Sequence, residues 1–184
     1  MLLFSCCKVF PWIIGKSGNV LTVGKDNLFE AFHSDHATLG KGFHDLSAAL
    51  RADDLAMARQ VAERLDADAG AHIAFEEEHF YEALVPLLGA AEVEKMYRDH
   101  QQGLEVVKVM KQSTALSESD RSEWLQKSEA MEAHIAECGD LFAAMGRIPV
   151  EQQAALHKHL LKWRELNPRW TDYASSRASR RFGR

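Results

Sequence analysis

This 184-residue chain is short of several things, and each shortage removes a class of protein. It has three cysteines, Cys6, Cys7 and Cys138. Neighbouring cysteines rarely bridge each other, so no disulfide framework is expected, as suits a reducing cytoplasm. Four prolines and almost no alternating Val/Ile/Thr runs argue against strands and for long helices. No apolar run reaches the length needed to cross a bilayer. Met1–Ile14 is apolar but lacks a basic start and a cleavage site, and Lys8 interrupts it. It reads as a weak membrane-contact segment, a partner-binding peptide or, preferably, upstream sequence from a mis-assigned start. There is no Gly-rich phosphate loop, no Ser-His-Asp arrangement and no zinc-ribbon spacing.

The net charge of −5 conceals a division. Residues 1–25 carry +3 and residues 162–184 carry +5, which leaves −13 on the body. An acidic body repels nucleic acid and suits a cation. The basic end, Arg177 to Arg184, reads as a disordered tail, so the expected organisation is an extension over 1–25, one helical domain over 26–164 and a tail over 165–184.

What the chain does have is a recurring histidine. Asp35-His36 is followed by His72-Ile73-Ala74, and Asp99-His100 by His134-Ile135-Ala136. Each histidine falls on an apolar stripe with helical spacing. Helix A, from about 27 to 50 with Asp26 as its cap, carries Leu28, Phe32, His36, Leu39, Phe43, Leu46 and Leu50. Helix B, from Asp53 or Asp54 to Val85, carries Val61, Leu65, Ala69, His72, Glu76, His79 and Ala83. Helix C spans roughly 91–112 and presents Val93, Met96, His100, Leu104 and Val107. Helix D spans roughly 118–145 behind a Ser117 cap, with Trp124, Met131, His134, Cys138, Leu141 and Met145 inward. A fifth helix follows over about 150–164, and Asn167-Pro168 closes the ordered part. The expected fold is all-α: an antiparallel up-down-up-down four-helix bundle with an additional C-terminal helix. Short connectors near 52, 88 and 115 bring the four imidazoles to one level, within about one helical turn.

Burying imidazole without a partner is costly, so four at one level point to a metal. Glu76 lies one turn beyond His72 on the same face. Histidines plus a carboxylate on facing helices are a donor set for iron or a related ion.

These motifs resemble the hemerythrin-like family of HHE cation-binding domains over about residues 28–145. The resemblance rests on Asp35-His36, His72-Ile-Ala-Phe-Glu76-Glu77-Glu78 before Phe80-Tyr81, Asp99-His100, and His134 before Leu141-Phe142. It implies a non-haem di-iron centre, with His36 and His72 on one iron, His100 and His134 on the other and Glu76 bridging. The family's second bridging carboxylate falls at Cys138. A centre with Cys138 or water in the gap, a single ion, or zinc therefore stays open. His79 either packs behind the ligands or is an extra ligand. His44, His157 and His159 are expected at the surface, His33 beside the stripe, and Glu77 and Glu78 on a solvated face, with Glu77 able to anchor a contact behind the ligands.

Three functions follow. The first is a protein that binds dioxygen or nitric oxide, senses redox state or handles iron. The second is an enzyme using the same centre, as in redox chemistry or iron–sulfur repair. The third is a metal-free helical interaction module.

Overall fold

The computed structural model describes residues 27–136 and 138–182, with side chains of 138–140 and 179–182 left out of the description. The extension over 1–25, the expected cap Asp26, and the Cys138 side chain lie outside the described residues. Among the described residues the structure is all-helical, with no strand.

Helix α1 spans Leu28–Arg51. Its cap is Asn27, one residue later than expected, whose side chain accepts from the Glu30 N–H. Every residue of the expected stripe, from Leu28 to Leu50, is buried. Helix α2 (Leu55–Phe75) begins at Asp54, which accepts from the Met57 N–H. Its α-helical hydrogen bonding gives way to a π-turn over Glu76–Phe80 before α3 (Tyr81–Leu88) resumes. A π-turn adds a residue to one turn and rotates everything beyond it. The buried positions past Glu76 are therefore Phe80, Tyr81 and Leu84, where the unbroken period placed His79 and Ala83. Pro86 sits within α3, and the helix ends at Gly89, whose φ of 88° is readily adopted by glycine.

Helix α4 spans Ala90–Gln112, α5 Glu118–Ala136 and α6 Cys138–Met145. Ser117 caps α5 as expected, accepting from the Asp120 N–H while its own hydroxyl reaches Asp120. Helix α1 packs on α2 and α5, and α4 packs on the same two helices. Helix α7 (Val150–Leu166) lies against α2 and α1.

The segment expected to be a disordered tail is instead α8 (Trp170–Phe182), packed on α2 and α4. Asn167, in the left-handed region, turns the chain, and Trp170 and Tyr173 are buried. Three features of α2 and α4 receive this helix. Asp66 is fully buried and accepts from Lys111, Arg169 and the Thr171 N–H and hydroxyl. At Gly70 a Cβ would stand 1.9 Å from the Pro168 carbonyl oxygen, so only glycine lets the linker approach. At Gly103 a Cβ would overlap Trp170 and Met131.

The core has two apolar clusters. One holds Leu39, Phe43, Leu65, Val107, Met131 and Trp170; the other holds Phe32, Phe75, Phe80, Leu84 and Leu160. The histidine level lies between them.

Candidate metal centre

His36 comes from α1, His72 from the end of α2, Glu76 from the start of the π-turn, His100 from α4 and His134 from α5. All five line one cavity of about 10 Å³, walled by Leu39, Phe43, Ala69, Ile73, Met131, Ile135 and Trp170. That volume accommodates one water-sized atom. The apolar wall keeps the site dry and strengthens electrostatics within it.

The four imidazoles share one orientation rule. His36 Nδ1–H donates to the Phe32 carbonyl at 3.2 Å. His72 Nδ1–H donates to Asp35 at 3.1 Å, His100 Nδ1–H to Glu77 at 3.1 Å, and His134 Nδ1–H to Asp99 at 2.9 Å. A carbonyl or carboxylate only accepts, so each Nδ1 carries a proton and each Nε2 is the nitrogen left to face the site; on His72, charged up to about pH 9, Nε2 also holds a proton that a cation would displace. The repeated Asp-His pair thereby gains a meaning. The aspartate before the histidine of one helix orients the histidine of the next: Asp35 on α1 holds His72, and Asp99 on α4 holds His134.

Three of the Nε2 atoms face Glu76, which is buried at 2 % exposure. His36 and His72 lie 4.0 and 3.5 Å from Oε1, and His100 lies 3.2 Å from Oε2. The carboxylate thus turns one oxygen to the α1–α2 pair and the other to α4. His134 meets His100 with ring centroids 5.7 Å apart.

The electrostatics are those of a site built around positive charge. Burial opposes a charge on Glu76, but the His72 and His100 imidazoles outweigh it and hold the carboxyl well below its usual range. Burial also opposes a charge on His72, yet Glu76 and Asp35 raise it to about 9. Burial and the neighbouring His72 push His36 down to about 3. Burial and His100 lower His134.

The donor set fits a cation. His36, His72 and Glu76 offer donor atoms within 4.8 Å of one another. His72 Nε2 is buried and, among the described residues, has no partner in hydrogen-bonding geometry, Glu76 Oε1 standing 3.5 Å away. Leaving such an atom unsatisfied costs about 1–3 kcal/mol, which a metal–nitrogen bond removes.

The remaining candidates fall elsewhere. His79 is turned away by the π-turn and stacks on the exposed His159 of α7, rings 3.9 Å apart, where burial and His159 lower its pKa. His44 is exposed and pairs with Glu132, His33 is exposed, and His157 is half-buried rather than on the surface. Glu77 does not face solvent: its side chain is 7 % exposed, bonds His100 with one oxygen and accepts from Tyr173 and Arg177 with the other.

Two residues of the site carry no metal-ligand signature in the sequence. Tyr81 is buried with its hydroxyl 2.8 Å from His100 Nε2, and burial with the Glu76 charge pushes its phenol well above the usual range. Trp170 closes the cavity beside His100, their rings 6.4 Å apart and nearly perpendicular. Tyr81 was visible only as an aromatic after the Glu-Glu-Glu run, and Trp170 lay in the segment read as tail.

No curated protein and no solved structure matches this chain. A family model, the hemerythrin HHE cation-binding domain, matches residues 27–147, which hold the histidines, Glu76 and Tyr81. Helices α7 and α8 lie beyond that match. With cation binding written into the family and a buried His/Glu donor set at its centre, the chain belongs to the hemerythrin HHE cation-binding domain family.

Proposed function

We propose that this protein holds a non-haem di-iron centre and binds dioxygen or nitric oxide there, as a carrier or sensor. His36 and His72 would hold one iron, His100 and His134 the other, with Glu76 between them in an antiparallel up-down-up-down bundle. The observation that carries the reading is the shared orientation: four Nδ1–H groups tied to acceptors, with three Nε2 atoms turned to opposite oxygens of one buried carboxylate. Bound iron would supply reversible redox and diatomic-ligand binding. The chain's own residues set the donor lone pairs, exclude water through Phe32, Phe43 and Trp170, and limit the number of carboxylates. A histidine-rich, carboxylate-poor set suits binding and sensing better than oxidative activation.

The test is optical. Iron-loaded protein should show oxo-bridge absorption, and the reduced form should change its spectrum on exposure to dioxygen or nitric oxide and recover on removal. Reduced, iron-loaded protein that is spectrally inert to both gases contradicts the proposal.

A further inference from the structure

We propose that Tyr81 is itself a ligand of the cation on the His100 side, supplying an anionic oxygen from α3. The inference rests on the metal-centre reading and adds a donor to it.

The π-turn delivers the residue. The Tyr81 N–H donates to the Glu76 carbonyl, five residues back, so the two side chains rise from adjacent points on one helical face. In an unbroken α-helix a five-residue separation would splay them by more than a quarter turn. Glu76 and Tyr81 instead enter the same space, both almost fully buried.

The donor spacing agrees. His100 Nδ1–H is committed to Glu77, so Nε2 holds a lone pair and the Tyr81 hydroxyl donates to it at 2.8 Å. Glu76 Oε2 lies 3.2 Å from the same nitrogen. Two donors bound at about 2.1 Å and roughly at right angles on one ion stand about 3 Å apart. Tyr81 Oη, His100 Nε2 and Glu76 Oε2 are therefore spaced as neighbouring ligands, with a proton where the ion would go. This is also the half in which the carboxylate expected on the helix of His134 is replaced by Cys138. A phenolate would restore the missing negative charge.

The binding step balances simply. The Tyr81 O–H bond breaks, an oxygen–metal bond forms, and the proton leaves to buffer. A cation beside the hydroxyl favours the ionised oxygen.

Resonance Raman of the ferric full-length protein, with iron per chain counted on the same sample, tests this. Phenolate ring and C–O vibrations under a visible charge-transfer band are expected, shifting when the protein is grown with ring-deuterated tyrosine. They should vanish in Tyr81→Phe, which should bind iron in that half about tenfold more weakly. A second probe needs no iron. Titrating Zn²⁺ into metal-free protein should release one more proton per chain from the native protein than from Tyr81→Phe. Two irons per chain without phenolate vibrations overturn the role of Tyr81 and leave the metal centre standing. Absence of any bound cation overturns both. The Raman reading on native protein decides even if Tyr81→Phe fails to fold.

Discussion

The two halves of the candidate centre are made from the same parts and finished differently. In the His36/His72 half the rings lie against Phe32 and Phe142, and the support behind them is short: Arg164 of α7 donates to Asp35, which holds His72. In the His100/His134 half the neighbours are polar aromatics, Tyr81 and Trp170, and the support runs from Tyr173 and Arg177 of α8 through Glu77 to His100. The family match ends before α7 and α8, so each half takes its outermost support from sequence beyond the shared domain. The first half borders a smaller cavity of about 220 Å³ lined by Asp35, His72 and Arg164. The second borders a cavity of about 370 Å³ between α4 and α8 that includes His100, Trp170, Lys108 and Arg177. Two helical hairpins thus supply matched pairs of histidines, and what packs behind them makes the pairs unequal.

Glu76 is the residue common to both halves. Glu76→Leu should empty the whole site, lowering bound metal at least a hundredfold, and should also cost the metal-free protein stability near neutral pH, because buried His72 loses its main counter-charge. Metal analysis with urea denaturation reads both. A mutant that keeps its metal would show that Glu76 is not a ligand.

Asp66→Ala attacks the second half alone. It removes the buried acceptor of Lys111, Arg169 and Thr171, and the loss should be about 3 kcal/mol in denaturation. Because α8 is what it anchors, metal should be lost first from the His100 half, leaving one ion per chain.

Within the first half the two histidines meet pH in opposite senses when no metal is bound. His72, facing Asp35, Glu76 and His36, has a folded pKa of about 9, above its ordinary 6.5. Its contribution is fully present below 6.5 and is lost as pH rises through 9, about 3 kcal/mol at most. His36 works in the opposite sense, costing stability as pH falls from 6.5 toward 3. Metal-free protein should therefore be most stable near pH 6.5, whereas metal-loaded protein, whose ligands are deprotonated, should gain stability above it. Thermal denaturation of both forms across pH 5–9 checks this; parallel profiles would contradict it.

The smallest expected effect separates the orienting carboxylates. Asp35→Asn should weaken metal in the first half and Glu77→Gln in the second, each about tenfold. Titration of metal-free protein with Zn²⁺ should show one strong and one weakened step, in reversed order for the two mutants.

Much of this was legible in the chain. The α1 stripe was readable because seven apolar or histidine positions keep steps of three and four without interruption, and all seven are buried. The α2 stripe was readable only to Glu76. Nothing in Glu-Glu-Glu-His-Phe announces a π-turn, so His79 took the place that belongs to Phe80 and Tyr81. Helix α8 was hidden by its composition. Arg and Ser dominate it, and the features that receive it, Asp66, Gly70 and Gly103, read as ordinary polar or small residues until their partners are known. The repeated Asp-His pair was visible, but the role of Asp35 and Asp99 required knowing that each reaches across to the neighbouring helix.

Both halves are expected to hold metal. Elemental analysis of full-length protein, freshly purified from iron-supplemented cells, tests it most directly. Two irons per chain are expected; a protein that carries no iron, or a single zinc, would show that the two halves do not both hold iron.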